Sequence, residues 1–235
     1  MEKEKVSVII PTRNRFKCLL NAIESVKNQT YENIEIIVIN NSSIQKDYYT
    51  FDFKNTFGEN VYIINLPKKL SGENLRNIGM MIASGEYIAF LDDDNYYLPK
   101  KIEKQILYMN NNDCLMSCTE AFEGLGSYKP NISYNKMHYE GIHWKAIKNK
   151  FKNNLKLLND MYENEINIWD HQSIRIHNCV IRSSVIIKKD LIKMVGYFPL
   201  NVRSGDWEYW KKIIKNTKCV YLKEPLTYYT SKHDD

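Results

Sequence analysis

Short β-branched runs that each stop at a polar cluster constrain this chain more than any other feature. Val6-Ser7-Val8-Ile9-Ile10 ends at Pro11-Thr12-Arg13, Ile34–Ile39 ends at Asn40-Asn41-Ser42-Ser43, and Tyr87–Leu91 runs into Asp92-Asp93-Asp94. Runs of this length and composition read as buried strands, and Val61–Ile64 reads as another. The segments between them carry helical spacing. Phe16, Leu19, Leu20, Ile23 and Val26 recur at helical spacing over 15–28, and 74–83 carries apolar Leu75, Ile78, Met81 and Ile82 before Ser84-Gly85 closes it. Pro99 is placed to open a further helix with Ile102, Ile106 and Met109 on one side. Strand–helix alternation through about residue 118 predicts an α/β fold with a doubly wound, mostly parallel sheet. Ligands of such sheets bind beyond the carboxyl ends of the strands. Three polar clusters at those ends therefore form a site by topology alone.

Apolar residues make up 43% of the 235 positions, enough for a packed core. The 33 Lys and Arg are interleaved with 28 Asp and Glu, for a net charge of +5. A dedicated nucleic-acid binder would be more basic and carry a clustered stripe, so no nucleic-acid partner is expected. The five cysteines, Cys18, Cys114, Cys118, Cys179 and Cys219, contain no Cys-x-x-Cys pair and read as reduced thiols of a cytoplasmic protein. No apolar run reaches the ~18 residues of a membrane span. The second half is less regular. The spacing predicts a helix over 143–158, a strand over Ile174–Ile181, a helix over Ser184–Val195 ended by Gly196, a helix from Asp206 to Ile214, and short strands at Val220–Leu222 and Leu226–Tyr229.

Three adjacent carboxylates at a strand end repel one another and call for a cation or ample solvent. On an extended chain Asp92 and Asp94 project to the same side. Mg2+ and Mn2+ take one or two such carboxylates together with diphosphate oxygens. A solvated acidic turn ahead of a helix start is the plain alternative.

The segments Val6–Arg15, Ala22–Tyr31 continuing into Ile34–Ile39, Arg76-Asn77-Ile78-Gly79, Gly85–Asp94, Gly205-Asp206-Trp207-Glu208 and Glu224–Tyr229 resemble those of family-2 glycosyltransferases with the GT-A fold. The resemblance covers 5–110 and 175–233 and is weak over 120–170. It implies a Rossmann-like sheet with a smaller acceptor-side extension, in which 1–118 is the nucleotide-sugar half and 119–235 the acceptor half of one domain. It implies an inverting sugar transfer from a nucleotide-diphosphate donor to a hydroxyl of a glycan or lipid-linked glycan, in surface polysaccharide synthesis, with Mn2+ or Mg2+ as cofactor. Pro11, Thr12, Arg13 and Arg76 would line the donor pocket, with Asn40 and Asn41 at the base. Asp92 and Asp93 would meet the ribose and diphosphate, Asp94 the metal with Asp92 beside it, and Asp206 would be the general base. His233 stands where some members place a histidine near the metal. Peripheral attachment at the inner face of a membrane would suit a lipid-linked acceptor.

The sequence departs from the family pattern in places. Asn40-Asn41 replaces a frequent Asp-Asp, so a uracil N3–H would lose a charge-assisted partner, while an amide can also donate to cytosine. UDP is favoured and CDP or dTDP stay open. Gly205 stands where a Glu is common, and Thr230-Ser231-Lys232 where an Arg is common. A catalytically inactive nucleotide-sugar-binding module is the alternative function. A nucleotidyltransferase would show a Gly-rich loop, and 11–15 has no glycine.

Overall fold

The computed structural model describes residues 3–232. The first half follows the alternation read from the sequence. Strands β1 (Val6–Thr12), β2 (Ile34–Asn40), β3 (Val61–Asn65) and β4 (Tyr87–Phe90) are separated by helices α1 (Phe16–Lys27), the short α2 (Asp47–Thr50) and α3 (Phe53–Phe57), and α4 (Gly72–Ile82). A two-residue β5 (Tyr96–Tyr97) and α5 (Lys101–Asn111) come next, then β6 (Met116–Leu125), β7 (Asn135–Lys136), α6 (Trp144–Lys150), α7 (Leu155–Tyr162), β8 (Ile166–Trp169) and α8 (His171–Ile176). A 3-10 turn at Arg182–Ser184 leads into β9 (Ile186–Lys188), α9 (Asp190–Val195), α10 (Gly205–Asn216) and the long β10 (Cys219–Lys232).

One sheet runs through both halves in the order β3-β2-β1-β4-β9-β6-β10-β5, with β7 on β6 and β8 on β10. The β3-β2-β1-β4 block and the β6-β10 pair are parallel, and β9 lies antiparallel between β4 and β6. β1, β2 and β4 are buried along their whole length, as strands covered on both faces must be. Alternate side chains feed two cores. Ile9 and Phe90 pack with α4 and α10, whereas Val8, Ile10 and Ala89 pack with α1 and α5. Gly79 lets α4 close on β1, because a Cβ there would lie 2.4 Å from Ile9 Cγ2. The buried Glu35 of β2 accepts from Ser7 Oγ, Ser84 N and Ser84 Oγ, and so ties β1 and β2 to the turn ahead of β4.

The second half corrects several expectations. The β-branched run Ile174–Ile181 is not a strand: Asp170 Oδ1 accepts from the backbone N–H of Gln172 and Ser173 and caps α8 instead. Ser184–Val195 is not one helix. Its start is β9, which fills the gap between β4 and β6, and only α9 is helical before Gly196 at φ +76°. The expected helix over 143–158 breaks at 151–154, between α6 and α7. Pro99 lies in the turn before α5, which starts at Lys101. The two short strands near the end are one strand, β10, with register shifts about Glu224–Thr227. β6 was not legible at all.

The 120–140 segment is anchored by a buried carboxylate: Glu120 accepts from the backbone N–H of Ala121, His138 and Tyr139 and from Tyr221 OH. His138 is buried beside His143 and His177, and burial pulls its imidazole down to about 3. A histidine depressed in the folded state takes up fewer protons than its unfolded counterpart between about pH 3 and 6.5, so it lowers stability as pH falls through that window. Replacing His138 with Gln is expected to flatten the pH dependence of urea unfolding between pH 4 and 6 by up to about 1.4 kcal/mol per pH unit relative to the parent.

Candidate functional site

The chain ends β1, β2 and β4 on one edge, and the loops there are bound to each other before any ligand is considered. Asn14 has φ +54°. Its N–H donates to Ser43 Oγ, and its Oδ1 accepts from Ile44 N, joining the loops after β1 and β2. Asn41 clamps residue 70 from both sides, accepting from Leu70 N and donating to Leu70 O. Asn40 is wholly buried and donates to Asn65 Oδ1. Asn41 thus lines the site while Asn40 supports it from behind.

After Leu91 the chain turns, and Asn95 N donates back to Asp92 O. The extended geometry expected of Asp92–Asp94 does not occur, so Asp92 and Asp94 face different cations. Asp92 accepts from Arg76 Nη2 and from Arg182 Nη2 at 2.7 Å and Nε at 3.2 Å. Burial would raise its pKa, but the two guanidiniums, Arg182 first, hold the carboxyl far below the usual carboxylate range. Asp93 is fully buried and neither oxygen has a well-aligned hydrogen bond, although Arg15 Nη2 lies 2.8 Å from Oδ1. Burial pushes Asp93 up to about 7 against the pull of Arg15. Asp94 pairs with Arg15 Nη1, and its carbonyl accepts from Thr230 Oγ1 of β10. Ser183 Oγ accepts from Asp92 N and Asn95 Nδ2, fixing the turn from the 3-10 side.

These groups border a cleft of about 420 Å3 that gathers Pro11, Thr12, Arg13, Asn41, Arg76 and Asp92–Asp94. Arg15, Glu73, Arg182 and Tyr229 complete its polar wall. Arg13 is exposed and has no ion pair among the described residues. The four arginines face four carboxylates, so the cleft has little positive charge left for a diphosphate. A second cavity of about 430 Å3, walled by Phe16, Tyr96 and Tyr128, lies across the Arg15–Asp94 pair.

Asp206 does not line the cleft. It lies in the first turn of α10, where Oδ1 accepts from Trp207 N at 2.8 Å and Oδ2 faces Asn178 Nδ2 at 3.5 Å. Its charge nevertheless reaches Arg182, whose pKa Asp92 raises first and Asp206 further. At Gly205 a Cβ would lie 3.2 Å from the backbone oxygen of Pro199, a tight approach. His233 lies outside the described residues. Sequence reasoning missed Arg15, Arg182 and Tyr48, whose hydroxyl meets Thr12 Oγ1 and accepts from Arg15 N. Arg15 stood inside a recognised segment, but no local signal marks Arg182 or Tyr48.

Among the described residues no group of three or more His, Cys, Asp or Glu could enclose an ion. The donors that exist suit a different arrangement. Asp94 is a carboxylate at the meeting of the two cavities, and a hard divalent ion completed by phosphate oxygens needs only one or two such ligands. Both Asp92 oxygens already accept from arginines.

The family model for glycosyl transferase family 2 matches residues 7–169. An uncharacterized glycosyltransferase of Rickettsia bellii is 32% identical over 86% of this chain, which spans only 25% of that protein's length. The Escherichia coli UDP-Glc:alpha-D-GlcNAc-diphosphoundecaprenol beta-1,3-glucosyltransferase WfaP is 35% identical over 57% of this chain and 55% of its own. The crystal structure of Staphylococcus aureus TarS 1-349 in complex with UDP-GlcNAc superposes with a TM-score of 0.72 at 17% identity, over 98% of this chain and 60% of that one. The mannosyltransferase PcManGT of Pyrobaculum calidifontis, in complex with GDP-Man and Mn2+, gives 0.66 at 13% identity, over 97% and 57%. These likenesses bear out the GT-A fold expected from the sequence.

The Asp92 network should be felt in stability. Arg182→Ala leaves the buried carboxylate with Arg76 alone and is expected to cost about 2 kcal/mol in urea denaturation. Arg182→Lys, which cannot reproduce the fork, should recover only part of it.

Proposed function

The chain belongs to glycosyl transferase family 2, and we propose that it moves a sugar from a nucleoside-diphosphate donor, UDP favoured, to a hydroxyl of a glycan or lipid-linked glycan with inversion at the anomeric carbon. The observation that carries this is the cleft at the strand ends, where Arg13, Arg76, Arg182 and Asp92–Asp94 converge. UDP is supported by WfaP, named for a UDP-Glc donor, and by TarS, crystallised with UDP-GlcNAc. PcManGT was crystallised with Mn2+. The diphosphoundecaprenol in the WfaP name supports a lipid-linked acceptor of surface polysaccharide. The nucleotide half is assigned to 1–118 and the acceptor half to 119–235.

Each residue then has a physical task. Pro11, Thr12 and Asn41 shape the floor for the nucleoside, and Asn41 also holds the backbone at Leu70. Asp92, ionised by Arg76 and Arg182, accepts hydrogen bonds from the donor's ribose side without needing a proton of its own. Arg13 offers a guanidinium to phosphate oxygens. Asp94 would hold Mn2+ or Mg2+, which when bound neutralises charge on the departing diphosphate. Asp206, in the first turn of α10 beside the cleft, would take the proton of an attacking hydroxyl that reaches it there, with Trp207 N donating to its Oδ1.

Two measurements test the reading. Thermal shift with UDP and Mn2+ at a hundred times the dissociation constant should add about 2.7 kcal/mol, or roughly 5–10 °C, and Asp94→Asn should remove the Mn2+-dependent part. GDP or CDP giving the larger shift would reassign the base. Asp206→Asn should lower turnover by about 100-fold or more with the UDP shift intact. Parent-like turnover in that variant would place the base elsewhere. Donor binding by the parent with no turnover on any acceptor would instead indicate the inactive binding module.

A further inference from the structure

The stretch 126–159 holds seven lysines against one glutamate, a net +6 where the whole chain carries +5. The rest of the protein is therefore close to neutral, and its excess charge lies on one segment. Lys129, Lys145, Lys148, Lys150, Lys152 and Lys156 are exposed, and none of them makes an ion pair among the described residues.

Exposed apolar side chains are set among these lysines. Ile132, Ile142 and Leu155 are each about half exposed, at 50, 51 and 52%. The backbone pairs them with basic neighbours. Ile132 N donates to Lys129 O, and Ile142 N donates to Lys136 O across a turn that only a glycine at 141 permits. Leu155 directly precedes Lys156. In α6, Ile147 and the following Phe151 point inward, which leaves Lys145 and Lys148 at i, i+3 on the outer side. The segment adjoins the second cavity, whose wall includes Ser127 and Tyr128 just ahead of Lys129.

We propose that this exposed segment docks the protein on a bilayer of anionic lipid, with the lysines against phosphate headgroups and Ile132, Ile142 and Leu155 entering the headgroup boundary. A solvated surface would not need acids to be so depleted here. A soluble polyanion would use the lysines but gain nothing from the three apolar side chains. Lysines near an anionic surface each add a similar increment of binding, and the sum falls with salt. The inference stands on the surface alone, so it does not depend on the donor chemistry.

The test is flotation of the whole protein with vesicles of phosphatidylglycerol in phosphatidylcholine, beside vesicles of phosphatidylcholine alone. The expected result is binding to the anionic vesicles only, released by high salt. Lys145→Gln/Lys148→Gln/Lys152→Gln should weaken partitioning on the order of 100-fold. Ile132→Ser/Ile142→Ser should weaken it several-fold while leaving retention on soluble polyphosphate unchanged. Both variants should keep the parent's circular dichroism spectrum and thermal midpoint, which separates lost docking from lost folding. No flotation of the parent with anionic vesicles would overturn the proposal, as would parent-like flotation of the lysine variant. Binding to polyphosphate with no binding to vesicles would also overturn it and assign the segment to a soluble polyanion.

Discussion

The charge balance around Asp92, Asp93 and Asp94 is the constraint on which the site depends. Three successive carboxylates at the end of a buried strand can persist only if cations from elsewhere reach them. Arg76 comes from α4, Arg182 from the 3-10 turn and Arg15 from the loop before α1. Each arginine draws one element to the strand edge, so the same pairs that neutralise the acids also bring together the cleft walls. The environments diverge as a result. Asp92 stays ionised in a double guanidinium grip, whereas the more poorly served Asp93 is pushed toward neutral pH.

The insertion of β9 makes this arrangement reachable. A short antiparallel strand between β4 and β6 places the residues just before it beside the end of β4. Arg182 and Ser183 are those residues, and they bind the Asp92 side chain and the Asp92 and Asn95 turn. β10 closes the other side through Thr230, which meets Asp94 O and Asn95 Oδ1. The acidic turn is therefore held from both flanks. That rigidity suits a group that must meet charge developing on a leaving diphosphate.

The first half was legible because its signals are local. A fully buried parallel strand announces itself as a β-branched run, and α1 and α4 as apolar residues at helical spacing. The second half misled where local and tertiary preferences disagree. Ile174–Ile181 has strand composition, yet a capping aspartate at 170 decides for helix. Ile186–Lys188 looks like the start of α9, yet it pairs with β4 on the side away from β1. Of the site, the aspartates, Arg13 and Asn41 were readable from their place at strand ends, and Arg76, inside α4, only from the family resemblance. Asn40 was readable by position but turns away, and Asp206 lies beside the cleft rather than in it.

The sequence by itself determined the α/β alternation, the edge of the sheet where the site lies, and the acidic cluster that a cation must answer. Those follow from burial and turn chemistry, which act over a few residues. Only the tertiary structure decided which arginine answers which aspartate. Arg182 and Asp92 are 90 residues apart, and no property of either segment names the other. The pairing follows from where β9 enters the sheet, and that depends on the hydrogen-bonding edges left open by strands far apart in the chain.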